Sequence, residues 1–60
     1  MKEFIKEIKD EYKKNMDYVD NTLMEKYPHA DKQQIIDAII QHIANDYAIS
    51  FYQVKRMIEQ

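Results

Sequence analysis

The sequence predicts an all-α fold in which residues 1–60 form one domain of three helices. Apolar residues recur every three or four positions along most of the chain, which is the period of a helix with one buried face. Pro28 and two residues of types that favour helix starts, Asp31 and Ser50, divide this pattern into three parts. With 45% apolar residues, the chain is too hydrophobic to be disordered.

The first helix is predicted from about residue 2 to residue 26. Its apolar positions follow one another at intervals of three or four residues: Ile5, Ile8, Tyr12, Met16, Val19 and Leu23. The opposite face is charged. A break between Asn15 and Asp17 is an alternative, because Asn can end one helix and Asp can start another. Because the apolar stripe continues through this point, we expect one continuous helix, roughly 37 Å long, that extends beyond the domain.

The second helix is predicted over residues 31–46. Tyr27 and Pro28 end the first helix, since the residue before a proline avoids the α region and proline has no N–H to donate. Asp31 can accept hydrogen bonds from the first turn, and Gln34 stands three residues later, as in a capping box. The apolar face is wide enough to be covered on two sides: Ile35, Ile36, Ile39, Ile40, Ile43, Ala44 and Tyr47.

The third helix is predicted over residues 51–59, after a turn of only a few residues. Ser50 is a good N-cap, and Val54, Met57 and Ile58 provide the apolar face. We therefore expect the last two helices to form a tight helical pair.

The composition argues against most enzyme and cofactor chemistry. The chain has no cysteine, so thiolate metal sites and cysteine nucleophiles are excluded, and it has no glycine for a phosphate-binding loop. His42 and Asp46 lie one turn apart, but no third residue has a suitable spacing to complete a metal site. We expect no enzyme, no metal and no cofactor.

We expect a cytoplasmic protein that does not enter a membrane. The longest mostly apolar stretch, residues 38–44, is far shorter than the ~20 residues of a membrane span. The first four residues alternate in charge and contain no signal-peptide core.

Residues 40–59 resemble a helix-turn-helix DNA-binding unit. Ala44 is the small residue that allows the second helix of such a unit to cross closely over the first, and Ser50 is the hydroxyl cap of the second helix. Apolar residues that lock the two helices together stand at the offsets of the family: Ile43, Tyr47, Ile49, Val54 and Met57. The sequence departs from the family at Ala48, where a glycine with positive φ is usual.

The resemblance implies that the last helix lies in the major groove of double-stranded DNA. Its outward residues would then be the DNA-binding site: Ser50, Phe51, Tyr52, Gln53, Lys55 and Arg56. Gln53 would read an adenine edge, Arg56 a guanine or a phosphate, and Tyr52 a phosphate. Lys32 or His29 would add a contact with the DNA backbone. The function implied is that of a small transcriptional regulator.

The charge balance keeps a second class of function open. Residues 31–60 contain three basic and four acidic residues, whereas a DNA-binding domain normally has a basic excess. The alternative is a small modulator, an inhibitor or adaptor of the kind that phages and plasmids encode, which docks on a larger protein through aromatic residues.

We also expect a homodimer. The chain has more large apolar residues than so small a core can cover: Phe4, Tyr18, Met24, Tyr27, Phe51 and Tyr52. Exposed apolar patches on small proteins often mark interfaces. The first helix, which should extend beyond the domain, is the natural place for the dimer contact.

Overall fold

The computed structural model describes residues 2–60, with side chains from Phe4 onward, and Met1 lies outside the described residues. The elements are α1 (Lys2–Tyr18), a π-helical stretch (Val19–Leu23, the π segment), α2 (Met24–Lys26), α3 (Lys32–Tyr47) and α4 (Phe51–Glu59). No strand occurs within residues 2–60, so the predicted all-α class is confirmed. The helix bounds agree with the predicted ones to within one residue.

The long N-terminal helix is continuous, but it is not α-helical throughout. Tyr18 and Met24, which flank the π segment, both have right-handed helical dihedral angles. The Met24 N–H donates to the Val19 carbonyl five residues back, where an α-helix would use the carbonyl four residues back. Asn15 does not interrupt the helix, and its side-chain amide donates to the Glu11 carbonyl at 2.8 Å. The π segment itself was not predicted.

Side-chain caps start both later helices at the predicted residues. The Asp31 carboxylate accepts from the N–H groups of Gln33 and Gln34, at 3.0 and 3.3 Å. The Ser50 hydroxyl accepts from the Gln53 N–H at 3.1 Å. The reciprocal side-chain bond of a capping box is formed by Gln53 at the start of α4, rather than by Gln34 at the start of α3.

The core lies where α1, α3 and α4 pack against one another in pairs. Five buried residues form it: Ile8, Ile40, Ile43, Ala44 and Val54. Among residues 4–60 no polar or charged side chain is buried. The described part of the chain is therefore held together by apolar packing around an aliphatic core, and none of its hydrogen-bonding side chains is buried.

The turn between α3 and α4 is built on a left-handed alanine. Ala48 has φ 55° and ψ 41°, and it is the one residue with positive φ among those the structure describes. Its N–H donates to the Asn45 carbonyl at 3.4 Å, and the Ile49 N–H donates to the Ala44 carbonyl at 3.0 Å. This pair of bonds is the Schellman arrangement that ends many helices. It fixes the direction in which the chain enters α4.

The far end of the long helix extends beyond the three-helix core. The molecule measures 36 × 19 × 17 Å, and the π segment and α2 pack mainly along their own helix. One ion pair, Lys32 with Asp20 at 2.9 Å, ties the π segment to the start of α3. Over the described residues, no helix has both the length and the apolar character required to cross a membrane.

Candidate nucleic-acid interface

The outer face of α4 carries most of the predicted site residues. Tyr52 is 74% exposed, and Lys55 and Arg56 are exposed on the same side of the helix. Together with Gln53 and Glu59 they line an open depression of about 350 Å³. This face combines one aromatic ring, two cations and a single carboxylate.

Phe51 differs from the expectation that it points outward. It is half-buried and packs against the core, because it starts the helix on the same side as Val54. Its ring lies edge-on to the ring of Tyr52, with centroids 5.6 Å apart. The structure therefore places Phe51 beneath the exposed face, where it supports Tyr52.

Ser50 and Gln53 are engaged with the backbone at the start of α4. The Gln53 side-chain oxygen accepts from the Ser50 N–H at 2.8 Å, while the Ser50 hydroxyl accepts from the Gln53 N–H. A glutamine that reads adenine needs both its oxygen and its amide nitrogen. In this arrangement the oxygen is in use and only the nitrogen is free. The Ser-x-x-Gln spacing is a sequence signal for this role.

Lys55 and Arg56 are free to contact a ligand. Both side chains are exposed, and within residues 4–60 neither forms an ion pair. They follow one another near the middle of α4, one turn after Phe51 and Tyr52. Two unpaired cations beside an exposed phenol can bind phosphate oxygens or the acceptor edge of guanine.

The two residues predicted to add a contact with the DNA backbone lie at the other end of α3. The Lys32 ammonium is paired with Asp20, and both side chains are about half exposed. His29 is exposed in the loop that follows Pro28. Within the described residues, neither Lys32 nor His29 forms a hydrogen bond or an ion pair with the outer face of α4.

A negative cluster surrounds the end of α3. The Tyr47 hydroxyl donates to the Glu7 carboxylate at 3.1 Å, which joins α3 to α1. Burial raises the pKa of Tyr47, and the hydrogen bond to Glu7 and the negative charges of Glu7, Glu11 and Asp46 raise that pKa further. The Phe4 ring packs edge-on against the Tyr47 ring at 5.5 Å. This side of the molecule would repel a nucleic acid.

His42 pairs with Asp46 at the surface of α3. The His42 imidazole lies 3.3 Å from the Asp46 carboxylate, and both side chains are mostly exposed. No third histidine, cysteine or carboxylate joins them in the part of the chain that the structure describes.

Comparisons of the chain with protein-family models, with curated proteins and with solved structures gave no match.

Proposed function

We propose that the protein is a small transcriptional regulator that binds double-stranded DNA through α4. The observation that supports this function best is the outer face of α4, where Lys55 and Arg56 are exposed and unpaired beside Tyr52. Phosphate contacts by Lys and Arg supply most of the affinity of a DNA-binding protein, and these two residues can make them.

The local structure of α4 is suited to insertion into a groove. An α-helix with its side chains is about 10–12 Å across, which matches the ~12 Å width of the major groove. The nine residues of α4 would follow that groove for about 14 Å. The capping box and the left-handed turn at Ala48 fix the helix start, so the outer face is rigid before it meets DNA. In this proposal Arg56 contacts guanine or a phosphate, and Lys55 and Tyr52 contact phosphates.

Fluorescence anisotropy with a labelled random-sequence DNA duplex, at about 50 mM salt, tests this function. The Lys55→Ala/Arg56→Ala variant should bind at least about 10-fold more weakly than the wild type, because it loses two phosphate contacts. Lys14→Ala/Lys26→Ala is the matched control, since it removes the same charge from exposed positions on the N-terminal helix. Equal binding by the two variants would contradict the assignment of Lys55 and Arg56.

We further propose that two copies associate through the projecting end of the long helix. Tyr18 and Tyr27 are 59% and 58% exposed there, and Met16, Leu23 and Met24 are half-buried beside them. A dimer would cover these side chains and would present two copies of α4 to one duplex. Light scattering at about 100 μM should give twice the 7.3 kDa mass of one chain, and Tyr18→Glu should halve it. A wild-type mass of one chain would contradict this contact.

The second candidate function is that of a modulator that docks on a larger protein. The observation that favours it is the exposure of three tyrosines, Tyr18, Tyr27 and Tyr52, because tyrosine is enriched among interface anchors. A partner captured from the host and then purified should bind the wild type directly and bind Tyr52→Ala at least about 10-fold more weakly. Equal binding of the partner by the two proteins would exclude Tyr52 from the contact.

A further inference from the structure

We propose that α1 is a second DNA-contacting element, and that Lys6 and Lys13, which stand on either side of Lys9, bind the phosphates beside the groove that α4 enters. This inference rests on the proposed function and extends the interface from one helix to two. It gives a role to the basic stripe formed by Lys6, Lys9 and Lys13, which is not apparent from the net charge of the chain.

The three lysines form one stripe on α1. Their spacings of three and four residues place them on the same side of an α-helix. From Lys6 to Lys13 the stripe covers about 10 Å along the helix axis, close to the rise of three base pairs. Lys6 and Lys13 are exposed, and within the described residues neither is in an ion pair.

The stripe lies on the flank of α1 that borders α4. The two helices pack directly against each other. The Lys9 ammonium donates to the carbonyl of Gln60, one residue after the end of α4. Arg56 lies one helical turn before Gln60, so it is about one turn along α4 from the residue that Lys9, in the middle of the stripe, contacts.

The opposite flank of α1 is acidic. Glu7 and Glu11 are one turn apart, and the bond from the Tyr47 hydroxyl to Glu7 places them beside the end of α3. The small net charge of −2 is therefore compatible with a basic flank and an acidic flank on the same helix. Asp10 and Asp17 lie along the outer edge of the stripe, and neither forms an ion pair with it within the described residues. A polyanion would meet the lysine flank together with α4.

The salt dependence of DNA affinity gives a direct test. Each phosphate contact contributes about −0.9 to the slope of log K against log salt concentration. For the Lys6→Gln/Lys13→Gln variant, we therefore expect a slope about 2 units shallower than that of the wild type, and at least about 10-fold weaker binding near 100 mM salt. Lys14→Gln/Lys26→Gln has the same net charge and should keep the wild-type slope. Circular dichroism would verify that both variants remain folded.

The outcomes separate this inference from the proposed function. If Lys55→Ala/Arg56→Ala abolishes binding but both glutamine variants keep the wild-type slope, α4 binds DNA and the lysine stripe does not. Equal loss of slope in the two glutamine variants would also overturn the inference, because net charge alone would then account for the effect. If the wild type does not bind duplex DNA at low salt, both proposals fail. Binding of the lysine flank to an acidic protein instead would likewise overturn this inference.

Discussion

Ala48 adopts a φ of 55°, where its β-carbon crowds the carbonyl oxygen that follows. The left-handed conformation costs an alanine about 1–2 kcal/mol, whereas glycine adopts it freely. Because glycine also adds entropy to the unfolded chain, the gain expected from Ala48→Gly is smaller, about 0.5–1 kcal/mol. Thermal unfolding should show a rise in Tm of roughly 2–8 °C.

Ala38→Gly provides the matched control for this substitution. Ala38 is exposed in the interior of α3, where glycine should destabilise the helix by roughly 1 kcal/mol. The two Ala→Gly variants should therefore shift Tm in opposite directions. A fall in Tm for both would mean that Ala48 carries no backbone strain.

The raised pKa of Tyr47 predicts that the protein loses folding stability in alkaline solution. Its pKa in the folded protein is raised above the ordinary 10.0, while the unfolded chain keeps the ordinary value. As pH rises, the unfolded chain therefore loses the Tyr47 proton before the folded protein does. The stabilising contribution of Tyr47 to the free energy of unfolding is complete below pH 10, and it is lost as pH rises through the folded-state pKa. Urea unfolding should show that wild type loses more stability between pH 8 and pH 11 than Tyr47→Phe does.

Tyr52→Phe is the matched control, because it removes the same hydroxyl from a mostly exposed side chain and leaves the contact between Tyr47 and Glu7 in place. The alkaline loss of stability that depends on this contact should persist in Tyr52→Phe. If Tyr47→Phe also has the wild-type dependence, the contact between Tyr47 and Glu7 does not influence folding.

At the level of single residues, the sequence predicts which residue starts a helix better than it predicts where a side chain points. Ser50 is a cap and Gln53 is exposed on the outer face, both as expected, but Phe51 does not lie on that face and the part of Gln53 in the cap was not predicted. Phe51 is half-buried because a residue in the first turn of α4 still contacts the core. Gln53 turns back to the Ser50 N–H, and the same spacing that identifies a capping box also suits a base-reading residue.

The helix boundaries were predictable because local residues determine them. Asp31 and Ser50 satisfy N–H groups that would otherwise be unpaired, and Pro28 cannot continue a helix. The π segment was not predictable in the same way. Met16, Val19 and Leu23 keep intervals of three and four residues, and these intervals fit an α-helix as well as a single π turn.

The π segment predicts that one residue can be removed without loss of the fold. A π turn holds an extra residue between two α-helical stretches, so deletion of the exposed Asn21 should restore α-helical hydrogen bonding across residues 19–24. Deletion of Lys14, in regular α-helix, should instead rotate the following stripe by about 100° and expose Met16 and Val19. Circular dichroism melts should give the first variant a Tm near or above the wild type and the second a much lower one. Similar melts for the two deletions would contradict this interpretation.

For the whole molecule, stability depends on a small aliphatic core. A domain of this length has roughly 3–9 kcal/mol of folding free energy, and truncation of a buried isoleucine to alanine costs about 2–5 kcal/mol. Ile43 is fully buried in the core, so Ile43→Ala should lower Tm by at least about 10 °C or abolish cooperative unfolding. Ile35→Ala, at a half-buried position outside the core cluster, should cost less. Equal costs would show that the core is not concentrated around Ile43.

The arrangement of charge over the whole molecule could not be obtained from the sequence alone. Counting residues gives a small negative net charge, with six basic and seven acidic residues on the first helix, residues 2–26. The spacing of the residues separates a lysine flank from a glutamate flank on α1, but it does not tell which flank borders α4 and which borders α3. That choice is made by contacts distant in sequence, such as the bond between Tyr47 and Glu7, 40 residues apart.

The backbone hydrogen bonds of the projecting end of the long helix should open more readily than those of the three-helix core. Ile8 and Ile43 are fully buried, so we expect their backbone amides to exchange with deuterium only through global unfolding. Beyond the buried Val19, the amides of the π segment and α2 are held mainly by their own helix and the Lys32–Asp20 pair, so they should exchange sooner, through local fraying. A binding partner that ordered this tip would therefore slow exchange there and leave the core amides unchanged.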